Sequence, residues 1–197
     1  MPHPTRRHTL HCLTWGAMAL AAGTPSAMAQ GTFPNKPVTL VVTYPPGGGA
    51  DAMARLIAPK MGEALGQPVI IDNKPGASGQ IGASAVAKAA PDGYTLMLDA
   101  SSFSANPALY PKLPYDSLKA FKPIGVVALF PNVVLVNANF GAKNISELTT
   151  AARKSKDAVS YASSGNGSAQ HLAGALFESA AKVDMVHVPY KGGGPAL

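Results

Sequence analysis

Four times in this chain a run of β-branched and aliphatic residues ends in a glycine-rich turn that opens into a helical pattern. Val38 to Tyr44 runs into Gly47-Gly48-Gly49, and Pro68 to Asp72 into Gly76-Ala77-Ser78-Gly79. Val159 to Ala162 runs into Gly165-Asn166-Gly167-Ser168, and Met185 to Val188 into Gly192-Gly193-Gly194. Short continuous apolar runs read as strands buried on both faces. Parallel neighbours need a crossover, and a helix supplies it, so strand, turn and helix in repeated order predict an α/β fold with parallel sheets and right-handed connections.

The remaining elements follow the same reading. From Asp51, residues Met53, Leu56, Ile57, Met61, Ala64 and Leu65 keep a helical period, closed by Gly66. Pro59 lies inside it and is expected to kink or split the helix. A second helix is expected over 81–90, a strand over 94–98 after Pro91-Asp92-Gly93, and helices over 145–155 and 169–182. Ile124–Ala128 and Val133–Val136 read as two further strands. Residues 100–122, broken by Pro107, Pro111 and Pro114, read as an extended crossing with little regular structure. That crossing divides the chain into a first lobe, 30–105, and a second, 106–197. The chain stops at Leu197, where a helix should follow the last strand, so the second lobe is expected to be incomplete.

The first 29 residues stand apart. Arg6 and Arg7 precede a short apolar core, and Ala27-Met28-Ala29 follows it before Gln30. This reads as a secretory signal peptide, with an uncleaved anchor as the alternative; Arg6-Arg7 also permits twin-arginine export. The expected location is therefore the periplasm. The only cysteine, Cys12, lies in this segment, so the remainder has no thiol for a disulfide or a metal. Two of the sixteen Lys and Arg residues lie there and all ten acids lie beyond it, which leaves the remainder at +4. That charge suits an anionic ligand and is too dilute for nucleic acid.

The turns carry the chemistry. In an open parallel sheet they gather at the carboxyl ends of the strands, where ligands bind. Each opens a helix whose first N–H groups lack partners and carry partial positive charge. Glycine lets a ligand reach that backbone. The turns are thus candidate cradles for a carboxylate, built from main chain. Packing alone explains one glycine turn well but three consecutive glycines in each of two lobes poorly. Asp51, in the first helical turn, reads as an acid that orients its own loop. Ser163, Ser164 and Ser168 read as hydroxyl donors and a helix cap rather than nucleophiles, and His171 and His187 as structural or cleft-lining groups. Lys74 and Lys191 flank two turns, either adding attraction or standing solvated.

Other chemistries fit less well. Gly47-Gly48-Gly49-Ala50-Asp51-Ala52 with Asp72 about twenty residues on matches a dinucleotide fingerprint. An exported chain is away from the nicotinamide pool, and the second lobe repeats the turn without the acid. No nucleophile elbow or phosphate-binding G-K-[ST] is present, and no H-x-x-x-H metal spacing; no cofactor is expected. An exported α/β hydrolase using a serine of the Gly165 turn, or a non-functional fragment, stays as the alternative.

Several motifs together resemble one family. Phe33-Pro34-Asn35-Lys36-Pro37-Val38-Thr39-Leu40-Val41-Val42 and Tyr44-Pro45-Pro46-Gly47-Gly48-Gly49-Ala50-Asp51 open the likeness. It continues through Asn73–Ala77, Pro91–Leu96, Tyr161–Ser168 and Val188–Pro195. This pattern resembles the Bug family, the extracytoplasmic solute receptors of tripartite tricarboxylate transporters. The resemblance implies a two-lobed periplasmic-binding-protein (Venus-flytrap) fold, here with an incomplete second lobe. It implies a non-enzymatic, monomeric receptor that captures a di- or tricarboxylate, an acidic amino acid or an aromatic acid for an integral membrane permease. Ligand contacts carried over are Tyr44, Pro46, Gly47, Gly48, Gly49, Ala50 and Asp51; Ser163, Ser164, Gly165, Asn166, Gly167 and Ser168; and Tyr190, Gly192 and Gly193. Ser101 joins them, in the Asp99–Ser102 stretch where members differ.

Overall fold

The computed structural model describes residues 32–154 and 158–197. The expected signal peptide lies outside the described residues. Strands β1 (Val38–Val42), β2 (Val69–Asn73) and β3 (Thr95–Leu98) form one sheet in the order β2-β1-β3, all parallel. The central β1 is the most apolar, and its Val38, Leu40, Val41 and Val42 are buried. Val42 pairs with Asn73 and with Leu98, so all three strands end level. Helix α1 (Gly49–Leu65) packs Ala54 and Ile57 on Leu40, Val42 and Leu98. Helix α2 (Gln80–Ala87) follows a 3₁₀ turn at Ala77–Gly79 and buries Ala83.

A second, two-stranded parallel sheet pairs β4 (Ser160–Ser163) with β5 (Val186–Pro189). Between the sheets run α3 (Ser101–Leu109) and α4 (Ile145–Ala152); α5 (Ala169–Ala181) is the crossover from β4 to β5, and α6 (Gly193–Ala196) follows β5. A small core of Leu148, Ala152, Val159 and Val183, with Phe177 and Ala181 against it, joins α4 to α5 and to the residues just before β4. Among the described residues no helix is long and apolar enough to cross a membrane. The alternation of strand, turn and helix thus builds the parallel α/β architecture that its order demands.

Three expectations need correction. First, α1 is continuous through Pro59 rather than split. Ala54 and Ala58 are buried on either side of the missing hydrogen bond, so packing carries the helix across it.

Second, residues 101–109 form a helix inside the stretch read as irregular. Pro107 gives up one bond, but Asn106, fully buried, anchors the turn by donating from Nδ2 to the Ser78 carbonyl at 2.9 Å. The helix stops at Leu109; Tyr110 is extended, as the residue before Pro111 prefers. The lobe boundary expected at 105/106 falls within this helix.

Third, residues 124–128 and 133–136 form no strand. Ile124 is 84% exposed and Leu129 89%. Their composition favours a strand, but no described strand lies beside them to pair with.

Candidate functional site

The turns after all five strands meet at one edge, contributed by both sheets. Gly192, with φ 115°, sits so close to the β1 turn that a Cβ there would lie 3.0 Å from Pro45 Cγ. The Ser78 hydroxyl donates to the Asn166 carbonyl at 2.8 Å, joining the β2 turn to the β4 turn. Gly167, with φ 73°, lies against α3, where a Cβ would approach Leu109 Cδ1 to 2.9 Å. Both positions need glycine twice over, for the left-handed backbone and for the close approach.

In the β1 turn Asp51 is buried and works as a clamp. Its Oδ2 accepts from the Gly47 N–H at 2.9 Å and from Arg55 Nε at 2.9 Å, and its Oδ1 accepts from Asn73 Nδ2 at 3.0 Å. Asn73 Nδ2 also donates to the Tyr44 carbonyl. The Arg55 guanidinium, then the Gly47 N–H, hold the Asp51 carboxyl down at about 2, so it is ionised and fully engaged by protein. It orients its loop and has no free oxygen for a ligand. The first α1 hydrogen bond runs from Ala52 N–H to the Gly48 carbonyl. The N–H groups of Gly49, Ala50 and Asp51 have no partner among the described residues. No side chain caps this end, because Gly48 is the cap residue.

The β4 turn ends in a second such group. The Ser168 hydroxyl caps α5 by accepting from the His171 N–H at 3.3 Å. The N–H groups of Asn166, Ala169 and Gln170 have no partner among the described residues. Ser164 turns its hydroxyl onto Gln170 Oε1. At the β3 end Asp99 Oδ1 accepts from the Ala100 N–H at 2.6 Å and from the Ser102 hydroxyl at 3.1 Å, and Tyr44 meets that same hydroxyl at 2.8 Å. Burial pushes the Asp99 carboxyl up, with hydrogen bonds opposing. The Ser101 hydroxyl beside it is buried without a partner among the described residues.

Every residue carried over as a contact therefore lies on this edge, but not with one role. Tyr44 and Asp51 are engaged in holding the loops. Ser163 is buried, 1% exposed. Gly49, Ala50 and Asn166 have N–H groups unpartnered among the described residues, the unpaired Ser101 hydroxyl is buried, and Tyr190 is exposed. Pro46 and Gly193 follow or precede those groups in the turns. Lys74 pairs with Asp72 at 2.9 Å, and Lys191 is exposed. A depression of about 490 Å³ lined by Arg55, Ala58, Pro59, Gly62, Pro68, Val69 and Ile71 flanks the start of β2, away from the turns. It offers one cation and no converging donors.

Sequence reasoning did not anticipate how the histidines are placed. His187 Nε2 lies 2.6 Å from the Ser163 hydroxyl. A serine and an imidazole so close raise the hydrolase alternative again. However, Ser163 is closed off from solvent, and the nearby Glu178 accepts the Met185 N–H rather than orienting the imidazole. The pairing was legible in principle: in register, Tyr161 faces His187 across β4 and β5, so period two puts Ser163 on the same side.

Comparison with known proteins shows the family. The model of the tripartite tricarboxylate transporter family receptor matches residues 53–197. A protein from the tcbD-tcbE intergenic region of Pseudomonas sp. strain P51 is 42% identical over 182 residues, 91% of this chain and 54% of its own length. BugT of Bordetella pertussis is 35% identical over 92% of this chain and 56% of its own length. The chain thus spans about half the length of the curated relatives it matches. Among solved structures, Rpa4515 of R. palustris with adipate superposes with a TM-score of 0.79 at 38% identity, covering 83% of this chain and 55% of that one. MatC of Rhodopseudomonas palustris with bound malate gives 0.76 at 38% identity, over 83% and 56%. The periplasmic binding protein BugD gives 0.71 at 38% identity, over 83% and 55%. The α/β fold is therefore that of the periplasmic binding proteins. With a family match running from Met53 to the last residue, and likeness to relatives along nine tenths of its length, this chain belongs to the tripartite tricarboxylate transporter receptor family.

Proposed function

We propose that this protein is a periplasmic receptor that captures a small carboxylate, without catalysis, for an integral membrane permease. The observation that supports this reading is the set of N–H groups, unpartnered among the described residues, at two helix N-termini, Gly49–Asp51 on the uncapped α1 and Ala169–Gln170 on α5, where Ser168 caps only the His171 N–H, together with the Asn166 N–H. Six main-chain donors and two helix dipoles aimed at one region favour an oxyanion and need no arginine. Ser101 and Tyr190 provide hydroxyls around the same region. The Pro46–Ala50, Ser164–Gly167 and Gly192–Gly193 turns let the ligand approach the backbone, while Tyr44, Asp51, Ser163 and Ser168 keep them in place. Two lobes, 30–105 and 106–197, divide these contacts between them. A monomer suffices, since both helices come from one chain.

Adipate and malate are the ligands named for two structural relatives, so dicarboxylates are the first class to test. Thermal melts with malate, adipate and their diamides distinguish the reading. A midpoint that rises with acid concentration and ignores the diamides is the expected result. Equal response to acid and diamide, or none to any di- or tricarboxylate at millimolar concentration, contradicts it. Release of ammonia from either diamide, with a carboxylate formed in its place, would favour the hydrolase instead.

A further inference from the structure

His171 and His187 stack with ring centroids 4.0 Å apart and planes 13° apart. Both reach the β4 turn. The Gly167 N–H donates to His171 Nδ1 at 3.0 Å, and His187 Nε2 meets the Ser163 hydroxyl at 2.6 Å. Ser163 in turn accepts from the Gly165 N–H at 3.2 Å. The two imidazoles thus hold, directly or through one hydroxyl, the two glycine N–H groups that flank Asn166. Both glycines have left-handed backbones, φ 131° and 73°, and the Asn166 N–H between them has no partner among the described residues.

The hydrogen bond from Gly167 fixes the state of His171. An imidazole nitrogen that accepts carries no proton, so Nδ1 is bare and the hydrogen sits on Nε2. A second proton on this ring would have to go on Nδ1. It would turn the acceptor into a donor facing another donor and break the contact. His187 can serve Ser163 as donor or acceptor, so its tautomer is not fixed in the same way.

We propose that His171 is a positioning residue for the anion-binding turn, effective only as a neutral imidazole, with its ring plane set by His187. This deepens the receptor reading given above and rests on it. Other groups facing the pair are few. Tyr161 on β4 stacks on His187 at 5.0 Å, and Glu178 on α5 acts on it electrostatically. Helix α6 and the Ser164–Ser168 turn carry no titratable side chain, and α3 contributes Asn106 and Leu109 near Gly167. Burial, and then the neighbouring His171, hold His187 below the ordinary histidine value of 6.5, with Glu178 opposing. A stacked pair so close resists carrying two charges.

Without the Gly167 hydrogen bond the turn relaxes and its donors lose their alignment, so losing the acceptor is expected to raise the Kd for adipate about tenfold, the scale of one hydrogen bond.

Two substitutions isolate the effect. His171→Asn keeps an acceptor where Nδ1 lies, and it should bind adipate at pH 7.5 within about threefold of the parent. His171→Phe keeps a ring to stack and loses the acceptor, so it should bind about tenfold more weakly. His171→Phe binding like the parent, or His171→Asn binding like His171→Phe, overturns the proposal. Long-range proton–nitrogen spectra of the ligand-free chain test the hydrogen bond independently. A bare Nδ1 on His171 at pH 7.5 is expected, and a protonated one, or free-histidine behaviour of both rings, contradicts it. If the parent binds neither adipate nor malate at pH 7.5 while Nδ1 is bare, the receptor reading fails and the His171–Gly167 contact stands by itself, with no role in acid binding.

Discussion

At the scale of single residues, the site is governed by which donors are used up and which are left. Asp51 is the plainest case. Sequence placed it in the first helical turn and read it as an organiser of its loop, and its three accepted hydrogen bonds agree. Replacing it by Ala leaves the Gly47 N–H and Asn73 Nδ2 without their acceptor and should lower unfolding stability by about 2 kcal/mol. The Arg55 bond adds little to that figure, because Arg55 is largely exposed. The pH dependence follows from the direction of the shift. A carboxyl held at about 2, against an ordinary 3.8, contributes stability that is complete above 3.8 and is lost as pH falls toward 2. Urea midpoints should therefore drop more steeply between pH 5 and 2.5 for the parent than for Asp51→Asn. Gly82 offers a second test. A Cβ there would meet the Lys74 carbonyl at 2.9 Å and Thr43 Cγ2 at 3.0 Å, so Gly82→Ala should cost about 1–3 kcal/mol although alanine suits a helix better. No local pattern in the sequence marks this glycine, since its reason is a strand and a turn packed on α2 from elsewhere.

Elements were legible where their own residues decide their structure. Val38–Val42 is β-branched and apolar on both faces, and it became the buried centre of a sheet. The glycine turns were legible because three glycines together have few uses. Elements decided by partners were not. Asn106-Pro107 reads as a break, yet the Asn106 contact with Ser78 keeps the turn helical. Val133-Val134-Leu135-Val136 reads as a strand, yet no described strand lies alongside. The difference is measurable by chemical denaturation. Leu40→Ala, in the β1 core, should cost about 3 kcal/mol. Val126→Ala or Val134→Ala, on exposed chain, should stay within about 0.5 kcal/mol of the parent. A large loss at Val126 or Val134 would mean that these runs are buried after all. The histidine pair belongs at this scale too, because only the β4–β5 register brings His187 to Ser163.

For the whole molecule, charge and composition narrowed the class of ligand, and the order of strands placed the candidate edge before any contact was known. With charged residues only 13% of the chain, recognition of an anion by surface cations had little to draw on, and main-chain donors are the natural substitute. Among the described residues no group of three or more His, Asp or Glu could hold a metal. Acid binding should accordingly be unchanged by EDTA. What composition could not supply was the division of labour among the contacts, since Tyr44, Asp51 and Ser163 share their turns with free donors but spend their own groups on the fold. The central claim is that a carboxylate is gripped by backbone N–H groups from two helix ends. Amide proton–nitrogen spectra recorded while adipate or malate is titrated in test it most directly. The amides of Gly49, Ala50, Asp51, Asn166, Ala169 and Gln170 should move together, in one saturable process and toward stronger hydrogen bonding. Saturable shifts confined to other residues, or to lysine and arginine side chains, would contradict it.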